Sequence, residues 1–161
     1  MTNARHVEPV LGEIDLHLFN EGTHRWLWRM LGPQRIGADI RFAVWAPNAK
    51  RVEVLGDWNG WSGDELRPVG SSGVWVGIAE NAVSGQCYKL RVTGAHGREV
   101  MKADPMARRC ELPPGDASII PSDDIAFGWT DHDWMASRRS VLVGEKPLRV
   151  YEVHAMSWRP D

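Results

Sequence analysis

Residues 40–61, IRFAVWAPNAKRVEVLGDWNGW, leave this chain few ways to fold. Ile40, Phe42 and Val44 alternate with Arg41 and Ala43, the period-two signature of a strand with one buried face. Val52 and Val54 resume the alternation after a turn at Pro47-Asn48-Ala49, and two strands so joined make a hairpin. The hairpin runs into Gly56-Asp57-Trp58-Asn59-Gly60-Trp61. There two glycines supply tight backbone conformations, and two large flat side chains stand three positions apart. Such a loop can present an aromatic face to a ligand.

The same signals recur downstream at near-regular spacing. Residues 64–69 read as a short strand that Pro68 confines to an edge, 71–73 as a turn, and 74–79 as another strand. Within 86–93, Tyr88, Leu90 and Val92 share one face and Cys87, Lys89 and Arg91 the other, which predicts an exposed Lys89. Residues 98–102 return as its hairpin partner after a turn at 94–97. The proline-rich stretch 103–115 reads as an irregular segment packed by Met106 and Leu112, and 117–120 as a last edge strand. Short strands separated by turns predict a mainly β protein, an immunoglobulin-like antiparallel sandwich. Upstream, residues 15–31 are helical in character but broken at Gly22. Thr23 is therefore expected to cap a short helix over 24–31 that Gly32-Pro33 stops. Trp26 and Trp28 read as packing residues, one against the sandwich and one partly exposed. Residues 123–139 read as a linker ending in a short helix capped at Asp131, and LRVYEV at 148–153 reads as a buried strand.

Composition acts mainly by exclusion. A formal net charge of -2 provides no basic field for nucleic acid or an anionic membrane. No apolar run approaches the roughly 20 residues that span a bilayer, and MTNARHVEP lacks a signal-peptide core, so a cytoplasmic protein is expected. Cys87 and Cys110 form neither a disulfide framework nor a ligand pair, and the histidines are scattered singly, so no metal and no cofactor is called for. Asp57, Asp104, Glu152 and Asp161 have no paired carboxyl context and read as caps, turn formers and surface charge. Neither a Gly-x-Ser-x-Gly elbow nor a phosphate-cradling glycine loop occurs. The nine tryptophans stand out. Most are expected to pack, while a minority can serve as flat platforms for the apolar C–H faces of sugar rings.

WAPNAKRVEVLGDWNGW resembles the signature of the carbohydrate-binding module, family 48, that precedes the catalytic barrel in 1,4-α-glucan (glycogen) branching enzymes of the α-amylase clan. Four further segments agree in the same order: DLHLFNEGTHRWLWRMLG upstream, then SGQCYKL, KADPMARRCELPPGDAS and YEVHAMSW. The resemblance implies a lead-in with a short helix over 1–34, a glucan-binding sandwich over 35–120 and a linker over 121–143. Residues 144–161 would then begin a truncated (β/α)8 barrel, with LRVYEV as its first strand. Retaining glycoside transfer needs two carboxyl groups about 5 Å apart, and in the family resembled they come from later barrel strands. The resemblance therefore implies an N-terminal fragment that supplies glucan binding and positioning, without catalytic residues of its own. Its implied partners are an α-glucan and the missing barrel of the same enzyme; nucleic acid and membrane are not among them. A free-standing glucan-binding regulatory module stays open as an alternative, against which LRVYEVHAMSW speaks. A fragment of a sister debranching or trehalose-releasing hydrolase is a second, against which DLHLFNEGTHRWLWRMLG speaks.

The candidate carbohydrate-binding residues are Trp61, Asn59, Trp58 and Lys89. By resemblance, a sugar ring stacks on Trp61 and Lys89 bonds its hydroxyls. Trp58 stands where the family commonly carries Phe or Tyr and is expected to be buried. The second stacking tryptophan of dedicated regulatory modules would fall near 98–100, where this sequence has Arg98-Glu99-Val100. Other departures are Met106 after Asp104-Pro105 and Met156 in HAMSW, which mark a divergent member.

Overall fold

A computed structural model describes residues 11–122, 128–138, 147 and 149–154. The chain divides into two units, Met1–Asp123 and Asp124–Asp161. The first begins with helices α1 (Glu13–Asn20) and α2 (Leu27–Met30). Eight strands come next: β1 (Gly32–Ile36), β2 (Asp39–Trp45), β3 (Ala49–Gly56), β4 (Asp64–Pro68), β5 (Val74–Ala79), β6 (Cys87–Gly94), β7 (Glu99–Lys102) and β8 (Ser118–Ile119). All pairings are antiparallel, in the order β1-β2-β5-β4-β3-β6-β7, with β8 also on β6.

The two ends of this path face each other as the layers of an immunoglobulin-like sandwich. Ile40, Phe42 and Val44 of β2 meet Val52 and Val54 of β3 and Tyr88 and Leu90 of β6 in one core cluster. Phe42 bridges the layers directly, its ring centroid 5.0 Å from that of Tyr88. The alternation in β2, β3 and β6 thus aims one face of each strand into a common core. The other face of β2 and β5 is covered as well: Ala43, Val74 and Val76 pack with Leu11, Met30 and Leu31, and Phe19 of α1 joins from the side. For this reason even Arg41 of β2 is buried. Its guanidinium donates to the carbonyls of Met30 (2.7 Å) and Arg29 (3.3 Å), closing the exposed end of α2. Burial pulls its pKa below the ordinary range, with Asp15 acting the other way.

Several expectations are corrected. The hairpin expected across Pro47-Asn48-Ala49 does not form: β2 pairs with β1 and β5 while β3 pairs with β4 and β6, so that turn carries the chain from one layer to the other. Gly32-Pro33 does stop the helix, but it also opens β1, a strand that the proline had hidden. Thr23 caps nothing at its own helix start; its hydroxyl donates to Leu18 O at 3.4 Å behind α1, and Trp26 occupies the N-cap of α2. His24 organises this turn instead: its Nδ1 accepts from Trp26 N, so the proton sits on Nε2 and is donated to Asp15 at 3.0 Å. Trp26 and Trp28 both stay half exposed, and Met30 and Leu31 do the packing. Strand β4 is not an edge: it pairs with β3 through Asp64–Leu66 and with β5 through Arg67 and Pro68. Proline is tolerated because Pro68 lies beyond the last residue paired with β3. Met106 packs under α2 as expected, whereas Leu112 is 86% exposed.

In the second unit, helix α3 (His132–Ser137) starts after Asp131, which occupies the N-cap without a side-chain bond. The buried strand expected at 148–153 is not present among the described residues. Residues 149–154 form no regular element, and Val150 is 83% exposed. Leu148 lies outside the described residues.

Candidate functional site

The loop between β3 and β4 opens with a single 3-10 turn, Asp57–Asn59. It starts at Gly56 because nothing larger fits: a Cβ there would lie 2.1 Å from the Trp58 ring and 2.7 Å from Cys87 O. Gly60 then takes a left-handed conformation (φ 59°), and Trp61 comes after it at φ 61°. For a tryptophan this conformation is strained, at roughly 1–2 kcal/mol. The loop must therefore be held by other bonds.

Those bonds are dense. Asn59 Oδ1 accepts from Gly56 N (3.0 Å), and its Nδ2 donates to Val54 O (3.1 Å) and Asp64 Oδ2 (2.9 Å). Trp58 donates its indole N–H to the same Asp64 oxygen at 2.8 Å and stacks on Phe42, centroids 5.4 Å apart and planes 15° from parallel. At the start of the loop, Asp57 Oδ2 accepts from the backbone N–H of Cys87 at 2.7 Å. At its end, Ser62 O accepts from Arg91 Nη2 at 3.1 Å. Arg91 is itself aligned by a two-pronged pair with Glu53, both bonds 2.8 Å. The hydrogen bond from Arg91 holds the Glu53 carboxyl below its usual range, and the same bond pushes Arg91 up. The loop is thus fastened to β6 at both ends and to β3 and β4 in the middle.

Trp61 is the aromatic left outside this mesh. It is 38% exposed, and its Nε1 donates to Asp57 Oδ1 at 3.2 Å. Of the four candidates, then, Trp58 and Asn59 have their polar atoms engaged in building the loop, and Trp61 offers a ring toward solvent. Lys89 departs from its expected exposure. Its side chain is 17% exposed and its ammonium pairs with Asp116. The reason lies in the segment 110–119, which doubles back beside β6: Cys110 bridges Ser118, and Ser118 pairs with Tyr88. Lys89 and Cys87 share the face of β6 opposite the core residues Tyr88 and Leu90. Burial, then the carboxylates of Glu111 and Asp57, push the Cys87 thiol up, which keeps it protonated at neutral pH.

Asp57 is the residue that sequence reasoning passed over. It read as a cap, turn former or surface charge, and its bond to Trp61 arises from the left-handed backbone at Gly60 and Trp61. A cavity of about 500 Å³ also opens beside the loop, lined by Trp58, Asn59, Asp64, Glu65, Glu80 and Asn81 among others. Trp58 already gives a face to Phe42, and the remaining polar lining is acidic or amide. Trp61, by contrast, leaves a flat apolar ring partly open, the kind of surface on which the C–H face of a sugar can stack. No group of three or more His, Cys, Asp or Glu suited to a metal occurs among the described residues. Nor is any helix among them long and apolar enough to cross a membrane.

Residues 30–107 match the Carbohydrate-binding module 48 (Isoamylase N-terminal domain) family. Over 162 aligned residues the chain is 48% identical to a 1,4-alpha-glucan branching enzyme GlgB of Nocardia farcinica, covering 94% of this chain and 22% of that protein. It is 44% identical to 1,4-alpha-glucan branching enzyme GlgB 1 of Streptomyces coelicolor, covering 94% of this chain and 20% of that protein. The chain thus spans about a fifth of the length of these curated relatives. Among solved structures, a pullulanase from Anoxybacillus sp. LM18-11 complexed with maltotetraose superposes with a TM-score of 0.50 at 18% identity, over 57% of this chain and 14% of that one. That likeness concerns the fold.

Proposed function

We propose, from the match of residues 30–107 to carbohydrate-binding module 48 and the similarity to branching enzymes, that this chain is the N-terminal part of a 1,4-α-glucan branching enzyme. Its sandwich, residues 35–120, binds and positions α-glucan for a barrel that transfers α-1,4-linked segments into α-1,6 branches. The working location is the cytoplasm. The observation that carries the binding role is Trp61, a half-open indole mounted on a loop whose other side chains are committed to holding it.

A pyranose ring laid on the indole buries its apolar C–H face, while its hydroxyls reach the rim. There Lys89 donates. Its pairing with Asp116 places an acceptor beside the donor, so the two together suit a sugar hydroxyl, which is both. One platform on an open surface buries little of an oligosaccharide, and the affinity is correspondingly weak, in the range of about 0.1–1 mM. Calorimetric titration of the chain with maltoheptaose tests this. Binding is expected to be lost in Trp61→Ala and to weaken about threefold in Lys89→Met, the low end for one hydrogen bond because the ammonium is already paired with Asp116. Unchanged affinity in Trp61→Ala would move the site elsewhere.

A further inference from the structure

The geometry points to Asp57 as the positioning residue of the sugar platform, the group that fixes the orientation of the Trp61 ring. This rests on the glucan reading above. Asp57 is an exposed residue, yet both its carboxylate oxygens are engaged. One accepts from the backbone N–H of Cys87 at 2.7 Å, and the other from the Trp61 indole at 3.2 Å. The first bond anchors the carboxylate to the opening residue of β6; the second passes that anchorage to the ring.

An indole has two side-chain torsions, and a hydrogen bond at its nitrogen, far from Cα, restrains both at once. The indole N–H lies in the ring plane. Asp57 therefore meets the ring at its edge, and the bond itself covers neither face. Without the bond, the left-handed backbone at Trp61 would still fix where the side chain leaves the loop, but not how the ring is turned. A sugar would then have to freeze the ring as it stacked. Freezing one such side chain corresponds to about a three- to tenfold loss of affinity.

The alternative role for Asp57 is simple closure of the loop, and Trp61→Phe separates the two, because phenylalanine keeps a stacking face and has no N–H. Maltoheptaose is titrated into the wild-type chain, Asp57→Ala, Trp61→Phe and the double variant. Asp57→Ala is expected to weaken binding about three- to tenfold, and the double variant to bind within about twofold of Trp61→Phe alone. Multiplying losses in the double variant would overturn the proposal, since Asp57 would then act without the ring. Asp57→Asn keeps the shape but offers one carbonyl oxygen to two donors; an intermediate loss, with unchanged far-ultraviolet circular dichroism, separates positioning from misfolding. The ring is also observed directly by the 1H–15N heteronuclear NOE of its indole, identified by its disappearance in Trp61→Phe. That NOE should match the backbone in the wild type and fall in Asp57→Ala. An NOE that does not fall overturns the proposal whether or not sugar binds. Should the wild type fail to bind maltoheptaose, the glucan reading fails by itself, and the NOE still decides whether Asp57 holds the ring.

Discussion

Trp58 lies nearly parallel to Phe42, with its N–H on the partly buried Asp64, whereas Trp61, three residues later, leaves its ring partly open to solvent with its N–H on the exposed Asp57. Both side chains are the same, and both are tied to a carboxylate. What differs is the backbone between them. Gly60 and Trp61 in the left-handed region turn the chain outward, so that the second tryptophan leaves the core as the first completes it. The comparison teaches that a binding platform can be built from a core residue type by reversing its exit direction, provided the surrounding loop carries the strain.

The largest expected effect would break the comparison if it failed. Trp58→Ala should cost about 3 kcal/mol, read from the urea midpoint, because it removes the stack on Phe42 and leaves a cavity. Trp61→Ala should cost under about 1 kcal/mol by the same measurement, as for other exposed positions. Equal losses would mean that both rings belong to the core. A smaller effect sharpens the role of the backbone. Trp61→Gly should be more stable than Trp61→Ala by about 1 kcal/mol, since only glycine adopts φ 61° without strain. Alanine equal to glycine would show that the strain is relaxed in solution.

The smallest expected effect is in the shape of the pH profile, because Glu53 beside the loop and Asp104 under the core respond oppositely. Glu53, which aligns Arg91 at the Trp61 end, has a lowered pKa. Its stabilisation is present above the unfolded value of about 4.3 and is lost as pH falls through the lower folded value. Asp104, which accepts the Tyr88 hydroxyl at 2.8 Å beneath Phe42, has a pKa raised by burial. Its contribution is present below the unfolded value of about 3.9 and is lost as pH rises through the folded one. Burial likewise pushes the Tyr88 hydroxyl far up, so it stays a donor throughout. Thermal melts from pH 3 to 7 should therefore show a flatter acid decline in Glu53→Gln and a steeper one in Asp104→Asn. The same slope in both would show that the two carboxylates do not respond oppositely.

Much of this was legible in the sequence, for reasons that separate cleanly. Strands β3 and β6 can be read from alternation because Val52 and Val54 of the one and Tyr88 and Leu90 of the other turn into the core, and that is what alternation reports. Strand β1 was hidden because Gly32-Pro33 marks a helix end and is silent about the conformation of the next residues. The interior place of β4 was hidden because the rule that proline needs an edge applies to a residue, while β4 meets its two partners at different residues. At the site, the resemblance singled out Trp61, but nothing in the letters gives a tryptophan a positive φ. Lys89 read as exposed because alternation tells inside from outside and cannot see Asp116, 27 positions away, folding over it.

The sharing of β4 between the two layers has a mechanical consequence. Val52 is registered against Leu66, and the next residue, Arg67, against Val76, so one short segment is bolted to both sheets. Sliding one sheet across the other would have to shear both registers together. The soft deformation left to the sandwich is a splaying at the ends far from β4. The loop that carries Trp61 is clamped between β3 and β4 and stitched to β6, so it rides on the stiff side. Any pull that a bound chain exerts on the ring is delivered to both sheets as a single body rather than absorbed as a local bend.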